Sequence, residues 1–499
     1  MGGKSPTPGG KRSAAARPPG WPPLASHTVA PERFDVVIVG ARCAGSPLGT
    51  LLARAGLKVA VVEKVTFPRT TLSSHLMEAD ALSFLKRLGV LEPVKATGVR
   101  FMHDVDTRLN DLRIVTRFPL RPDDLGGAAF LRRHLLDSIL ADAAAEAGAH
   151  MRMDTKVVAL LEDFGRVTGV RVVHDGKESE LRAPLVVGAD GRTSTVAKIT
   201  GARRYNVAPN ERNYYFTFFE GADPASDDLF IFHRWADRMV WAGAADSGLY
   251  LVGVSPEVHE RDAFRRDTES NLMAHMRSCE PTREALVNAK RATKIFGIRR
   301  FDGYFREACG PGWVLVGDSG HFKDPAAGRG IGDAFIQVEA LAPAIVAGLD
   351  GSGEPLDRAM KRWATWRNRK FEGHYWMATT LGCEGAIPMT APEVIERMQA
   401  RGQVDAFFDL FSHRSRYYDV LTIRRLAEAT ARLLVDRSTD RPALVKETAA
   451  LLAQEARRRW INRVPDFDEP EPARAPAEPA EHVDEAPDPV PRAVAAAVD

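Results

Sequence analysis

The sequence predicts an α/β fold. A nucleotide-binding parallel sheet is interrupted by an antiparallel-sheet domain and followed by a long helical region. Three observations predict it. A short run at 34–39, apolar but for Asp35, leads into a glycine-containing turn, a helix and a second run at 58–62, apolar after Lys58. Two more apolar runs far along the chain, 185–188 and 313–316, each lead into a glycine–aspartate turn. Alternating segments lie between them, and beyond 334 apolar residues recur at helical spacing almost to 462.

The chain has 499 residues, 44% hydrophobic and 27% charged, enough for more than one domain. Lys+Arg (68) and Asp+Glu (66) nearly cancel, leaving a formal charge of +2. That balance argues against a nucleic-acid binder, whose phosphate contacts need a basic surface. No run approaches eighteen consecutive apolar residues, so no membrane span is expected. Cys43, Cys279, Cys309 and Cys383 are far apart, with no Cys-x-x-Cys and no close Cys/His set. Neither a disulfide scaffold nor a metal site is expected, and a cytoplasmic setting is the default. Residues 1–32 are basic and rich in Gly, Pro, Ser and Ala; 465–499 are acidic with interleaved Pro and Ala. Both read as disordered tails, with too few large apolar side chains to offset chain entropy.

The first element pair occupies 33–100. The run at 34–39 reads as a buried parallel strand, and 47–55 reads as a helix with Leu48, Leu51 and Leu52 on one side. In the turn between them Gly40 permits the tight bend and Gly45 lets helix and strand pack closely. The helix N-terminus offers free N–H groups and a positive dipole end to a pyrophosphate. Glu63 closes the second strand and is placed to accept ribose hydroxyl hydrogens. Arg42 stands where the fingerprint has its middle glycine.

The later elements repeat the pattern. The strand at 185–188 runs into Ala189, Asp190 and Gly191; the strand at 313–316 runs into Gly317 and Asp318, then Pro325, Gly328, Gly330 and Ile331, where a helix begins. With these three motifs in this order, residues 33–370 resemble the FAD-dependent monooxygenases of the para-hydroxybenzoate hydroxylase type. That wider family includes geranylgeranyl reductases and flavin-dependent halogenases.

The resemblance implies a Rossmann-like FAD-binding domain of the glutathione-reductase type, assembled from 33–100, 128–205 and 300–350. Gly40, Arg42, Ala44 and Gly45 would lie at the FAD pyrophosphate, and Glu63 with Lys64 at the adenosine ribose. Arg133, opening an Arg-x-x-Leu-Asp helix (Arg133, Leu136, Asp137), would contact the cofactor. Asp190 and Gly191 would form the acidic turn tied to FAD and NAD(P)H. Gly317 and Asp318 would meet the ribityl chain, and Pro325, Gly328, Gly330 and Ile331 would face the flavin ring. Catalytic candidates are Arg69 and His75, in the segment after the second strand, and Lys323, in the flavin-facing loop. No second glycine fingerprint is visible, so reduction is expected from docked NAD(P)H or from a separate flavin reductase.

The substrate domain is expected from 101–127 and 206–299, with strands at 213–220, 229–234, 239–244 and 249–254 and helices at 259–278 and 282–291. Tyr214, Phe216, Phe218, Phe232, Trp235 and Trp241 are its aromatics. Most fill the sheet core, and one face could line a pocket for a hydrophobic or aromatic small molecule. The helical region 351–464 should pack on this domain, in a monomer or homodimer. The expected reaction, implied by the resemblance, is hydroxylation or epoxidation with molecular oxygen through a flavin C4a-hydroperoxide. Halogenation and double-bond reduction are the alternatives. The stretch 239–244 lacks the Trp-x-Trp-x-Ile-Pro pattern that halogenases usually show.

Overall fold

The computed structural model describes residues 31–122, 124–298, 301–349 and 355–465. The expected tails lie outside these residues except for their inner ends. Glu32 is already in a strand: Glu32–Arg33 pairs in parallel with Lys177–Arg182, so the fold begins before residue 33.

Four consecutive apolar residues, Val36–Val39, form a strand with no exposed face. β-Branched side chains suit a pleated strand, and burial on both sides suits a parallel sheet. The strand is flanked by Val59–Val62 and Leu185–Gly188, and Trp313–Leu315 lies beyond the latter, all parallel. His150–Arg152 closes one edge and the short antiparallel Cys309–Gly310 the other. Register decides the function of this sheet. Val39 pairs with Val62 and with Gly188, and Gly188 pairs with Leu315. The turns after these strands, carrying Gly40, Glu63, Asp190 and Asp318, therefore leave the sheet at one common edge. Ligands of open parallel sheets bind at that carboxyl edge.

The sheet's two faces follow the side-chain alternation. Val36 and Ile38 pack with Leu48, Leu52, Leu136, Leu140 and Val338 of the crossing helices. Val37 and Val39 pack instead with Val157, Val170, Val172 and Leu181 of a four-stranded sheet laid on the other side. Helix Gly330–Leu349 is long and apolar enough, by length and composition, to cross a membrane. Here its Ile331, Phe335, Val338 and Leu341 are core residues against the parallel sheet, which explains an apolarity that is not a run of consecutive residues.

The second domain is one sheet built from both expected segments, 101–127 and 206–299. Its order runs Lys290–Arg291, Tyr214–Glu220, Tyr250–Ser255, Arg238–Ala244, Leu229–Trp235, Asp104–Leu109, Leu112–Arg117. It departs from a purely antiparallel sheet at one pair: Asp104–Leu109 runs parallel to Leu229–Trp235. Two helical expectations also need correction. The segment 259–278 holds two α-helices, Arg261–Arg266 and Thr268–Ser278, because Asp267 leaves the helical region and caps the second through Ser270 N–H. The segment 282–291 is helical only to Ala285; Lys290 and Arg291 pair with Glu220 and Phe219. The C-terminal helices cover the sheet, with Val394, Ile395, Met398, Phe407 and Phe408 packed in one core with Phe216, Phe218 and Phe230.

Candidate active site

The site starts from two glycines. Gly40 adopts φ +99°, and a Cβ there would stand 2.5 Å from the Ala189 carbonyl oxygen. A Cβ on Gly45 would stand 1.7 Å from the Gly40 carbonyl oxygen. Only hydrogen fits at either, so the strand turns sharply and the helix starts directly under it. Helix Gly45–Arg54 has no side-chain cap and no acid in its first turn, which leaves its positive end open to an anion. Glu63 is buried, and its Oε2 accepts the Ala41 N–H at 3.0 Å, so the carboxylate is held beside the turn. Arg42 is bonded to Thr71 Oγ1, tying the turn to the segment after the second strand. Ala44 lies against Gly317, and Lys64 is exposed.

Across the edge, Arg133 opens helix Arg133–Glu146 and grips Asp137 with two bonds, at 3.0 and 3.1 Å. Asp190 Oδ2 accepts the N–H groups of Thr195 and Val196 at 2.6 and 3.3 Å; Oδ1 is buried with no protein partner. That orphan acceptor calls for a donor from outside the chain. Asp318 follows Gly317, whose φ is +64° and whose N–H donates to Gln337 Oε1 at 3.0 Å. Burial raises the Asp318 carboxyl to about 6, against the pull of Arg192 and Arg133. At Gly330, on the first turn of its long helix, a Cβ would meet nothing within 4 Å.

Beyond this edge lies an apolar cavity lined largely by aromatic rings. The Pro325–Gly328 loop and Leu76 bound one side. The sheet supplies Phe216, Phe230, Phe232 and Trp241, and helix Val404–Phe411 supplies Phe407, Phe408 and Phe411. Its polar lining is sparse: Ser73, Ser74, Thr107, Tyr214 and Glu78. Tyr214 donates to Asp324 Oδ1 at 2.5 Å. Glu78 accepts from Arg329 at 2.5 Å.

These features suit a dinucleotide whose pyrophosphate meets the helix end, whose ribose meets Glu63 and whose flat ring enters the space at Gly330. The FAD binding domain family matches residues 33–361. The chain belongs to that family. The digeranylgeranylglycerophospholipid reductase of Methanosarcina acetivorans is 29% identical over 358 residues, covering 68% of this chain and 82% of that protein. The menaquinone reductase of Mycolicibacterium smegmatis is 27% identical over 447 residues, 87% of this chain and 99% of its own. Among solved structures, the flavin-dependent brominase Bmp2 superposes with a TM-score of 0.66 at 19% identity, covering 81% of this chain and 98% of that one; the likeness is one of fold. The chain is thus a flavin-dependent oxidoreductase.

The structure places the three catalytic candidates of this FAD-binding protein outside the cavity lining. Arg69 is exposed. His75 is buried at φ +60°, behind the wall, edge-on to Phe216 and Phe218. Its Nδ1 accepts the backbone N–H of Arg133 at 3.2 Å. Burial, with Arg133 nearby, lowers it to about 3, so it is a neutral acceptor that positions the Arg133 helix rather than an acid at the substrate. Lys323 is buried and faces an acid of the protein: its ammonium lies 2.6 Å from Asp333 Oδ2. Sequence reasoning missed Glu78, Arg329, Phe118 and the three phenylalanines of 404–411. An arginine between two glycines, Gly328 and Gly330, was the available signal, since a buried guanidinium needs an acid.

Proposed function

We propose that this protein is a flavin-dependent reductase that saturates a carbon–carbon double bond in a long apolar substrate of the isoprenoid class. The observation that supports it is the cavity, an apolar space walled by aromatic rings from the sheet and the C-terminal helices and bounded by the Pro325–Gly328 loop. A hydrocarbon chain gains about 0.8 kcal/mol per buried methylene in such a space and brings no polar group that would go unpaired. The reductase names of the two relatives agree with this reading. Bound FAD in its reduced form would supply the hydride, with NAD(P)H as the proposed electron source. The chain's own residues do the rest. Phe216, Phe232 and Trp241 orient the hydrocarbon, the Phe407–Phe408 wall excludes water, and Tyr214 and Glu78 hold protons at its border.

The test is anaerobic. FAD-loaded, pre-reduced protein is mixed with a geranylgeranyl lipid or a polyprenyl quinone while the flavin absorbance is followed. Reoxidation without oxygen, with two hydrogens gained per double bond by mass, is the expected result. A product that forms only with oxygen and carries an added oxygen atom would establish instead the monooxygenase of the para-hydroxybenzoate hydroxylase type. Halide incorporation would establish a halogenase.

A further inference from the structure

Glu78 is the one carboxyl among the described residues that line the apolar cavity, and the FAD edge described above makes no use of it. It ends the short strand Leu76–Glu78, just before helix Ala79–Leu88. Behind it stands a buried ion cluster. Arg329 holds Glu78 at 2.5 Å and grips Asp80 with two bonds, at 2.8 and 2.6 Å. The Nε of Arg329 faces Asp333 at 3.6 Å; Asp333 pairs with Lys323 at 2.6 Å and lies 3.0 Å from His413 Nε2. His413 stacks on His374 at 3.8 Å. Lys370 stands at the outer side and donates to the His413 carbonyl.

The cluster therefore sets three carboxyls, Glu78, Asp80 and Asp333, against three cations, Arg329, Lys323 and, at the outer side, Lys370. Burial drives both histidines toward the neutral form. Burial pushes Glu78 up to about 8 against the pull of Arg329, so this carboxyl at the cavity wall is suited to hold a proton. The far side of the cluster faces another space. Asp80, Lys370 and His413 line a second, wider and more open cavity. Glu78 thus looks into the apolar cavity, Asp80 into the open one, and Arg329 bridges them.

We propose that Glu78 is the proton donor to the substrate. The proposal rests on the reductase reading above. In the step, the alkene π bond breaks. Hydride from reduced FAD, carrying both electrons, forms a C–H bond at one carbon. The Glu78 O–H bond breaks, and its proton forms a C–H bond at the other carbon. The alkene is reduced and the flavin oxidised, and Glu78 is left as a carboxylate paired with Arg329 until water returns a proton.

Infrared difference spectra of the FAD-loaded protein test the starting state without any substrate. A protonated-carboxyl C=O band, shifted in D2O and missing from Glu78→Gln, is expected at neutral pH. In single-turnover saturation, Glu78→Gln should be at least about 100-fold slower. Glu78→Asp should recover part of that loss with a displaced pH profile. Absence of the band from the wild-type protein overturns the proposal even where Glu78→Gln folds poorly, and so does saturation by Glu78→Gln at the wild-type rate. Wild-type protein that saturates no alkene overturns the reductase reading itself and the donor role with it, a result distinct from a slow wild type matched by its variant.

Discussion

Gly45 and Gly330 sit at two helix starts on the same edge and make opposite demands. At Gly45 a methyl group would collide with the Gly40 carbonyl oxygen 1.7 Å away; at Gly330 it would meet no protein atom within 4 Å. Gly45→Ala should therefore melt at a lower temperature and retain no FAD. Gly330→Ala should melt like the wild type without cofactor, yet bind FAD about tenfold more weakly, roughly 1.4 kcal/mol, because its methyl fills the space proposed for the ring. Thermal melts and a flavin fluorescence titration separate the two. Glu78 carries the pH dependence. Its carboxyl is raised to about 8, mainly by burial, and only the protonated form can donate. The single-turnover saturation rate should be level below that value and fall as pH rises through it. A carboxyl at its ordinary value of 4.5 would put the fall in acid instead, and stopped-flow measurements from pH 5 to 10, about the range such a titration needs, distinguish the two.

Strands that run side by side explain a third expectation. Trp241 on Arg238–Ala244 is paired directly with Gly253 on Tyr250–Ser255, and its indole lies where a Gly253 Cβ would be, 2.1 Å from Cε2. Gly253→Ala must displace the ring, which also lines the cavity. A loss of about 1–3 kcal/mol in denaturant melts is expected, with a changed tryptophan emission and weaker binding of an apolar ligand. The strands themselves were legible from alternation and β-branched residues. The direction of Asp104–Leu109 was not, because a strand presents the same alternation whether its neighbour runs parallel or antiparallel. Likewise 286–291 keeps a helix-compatible composition, but Lys290 and Arg291 take backbone partners on Tyr214–Glu220, and that pairing overrides local preference.

The molecule is joined across its two domains at a few polar points, and Tyr214 is one. It stands on the substrate sheet, and its hydroxyl donates to Asp324 in the cofactor loop; Asn210 and the Ala326 N–H also bond that carboxylate. Tyr214→Phe removes one of three donors from a buried acid. A loss of about 1–3 kcal/mol is expected, with faster FAD release as the loop loosens, measured by melting and by flavin dissociation on dilution.

At this scale the two sources of information separate. The sequence by itself determined the parallel sheet, its glycine turns and the FAD edge. Each depends on consecutive residues: a β-branched run, a glycine where φ is positive, a helix start left uncapped. Only the tertiary structure decided what the site contains. Glu78 and Arg329 are 251 residues apart, Phe407 and Phe408 meet Phe230 across two domains, and Lys323 turns to Asp333. A buried charge or ring takes the partner nearest in space, and packing of distant segments, rather than local pattern, chooses that partner.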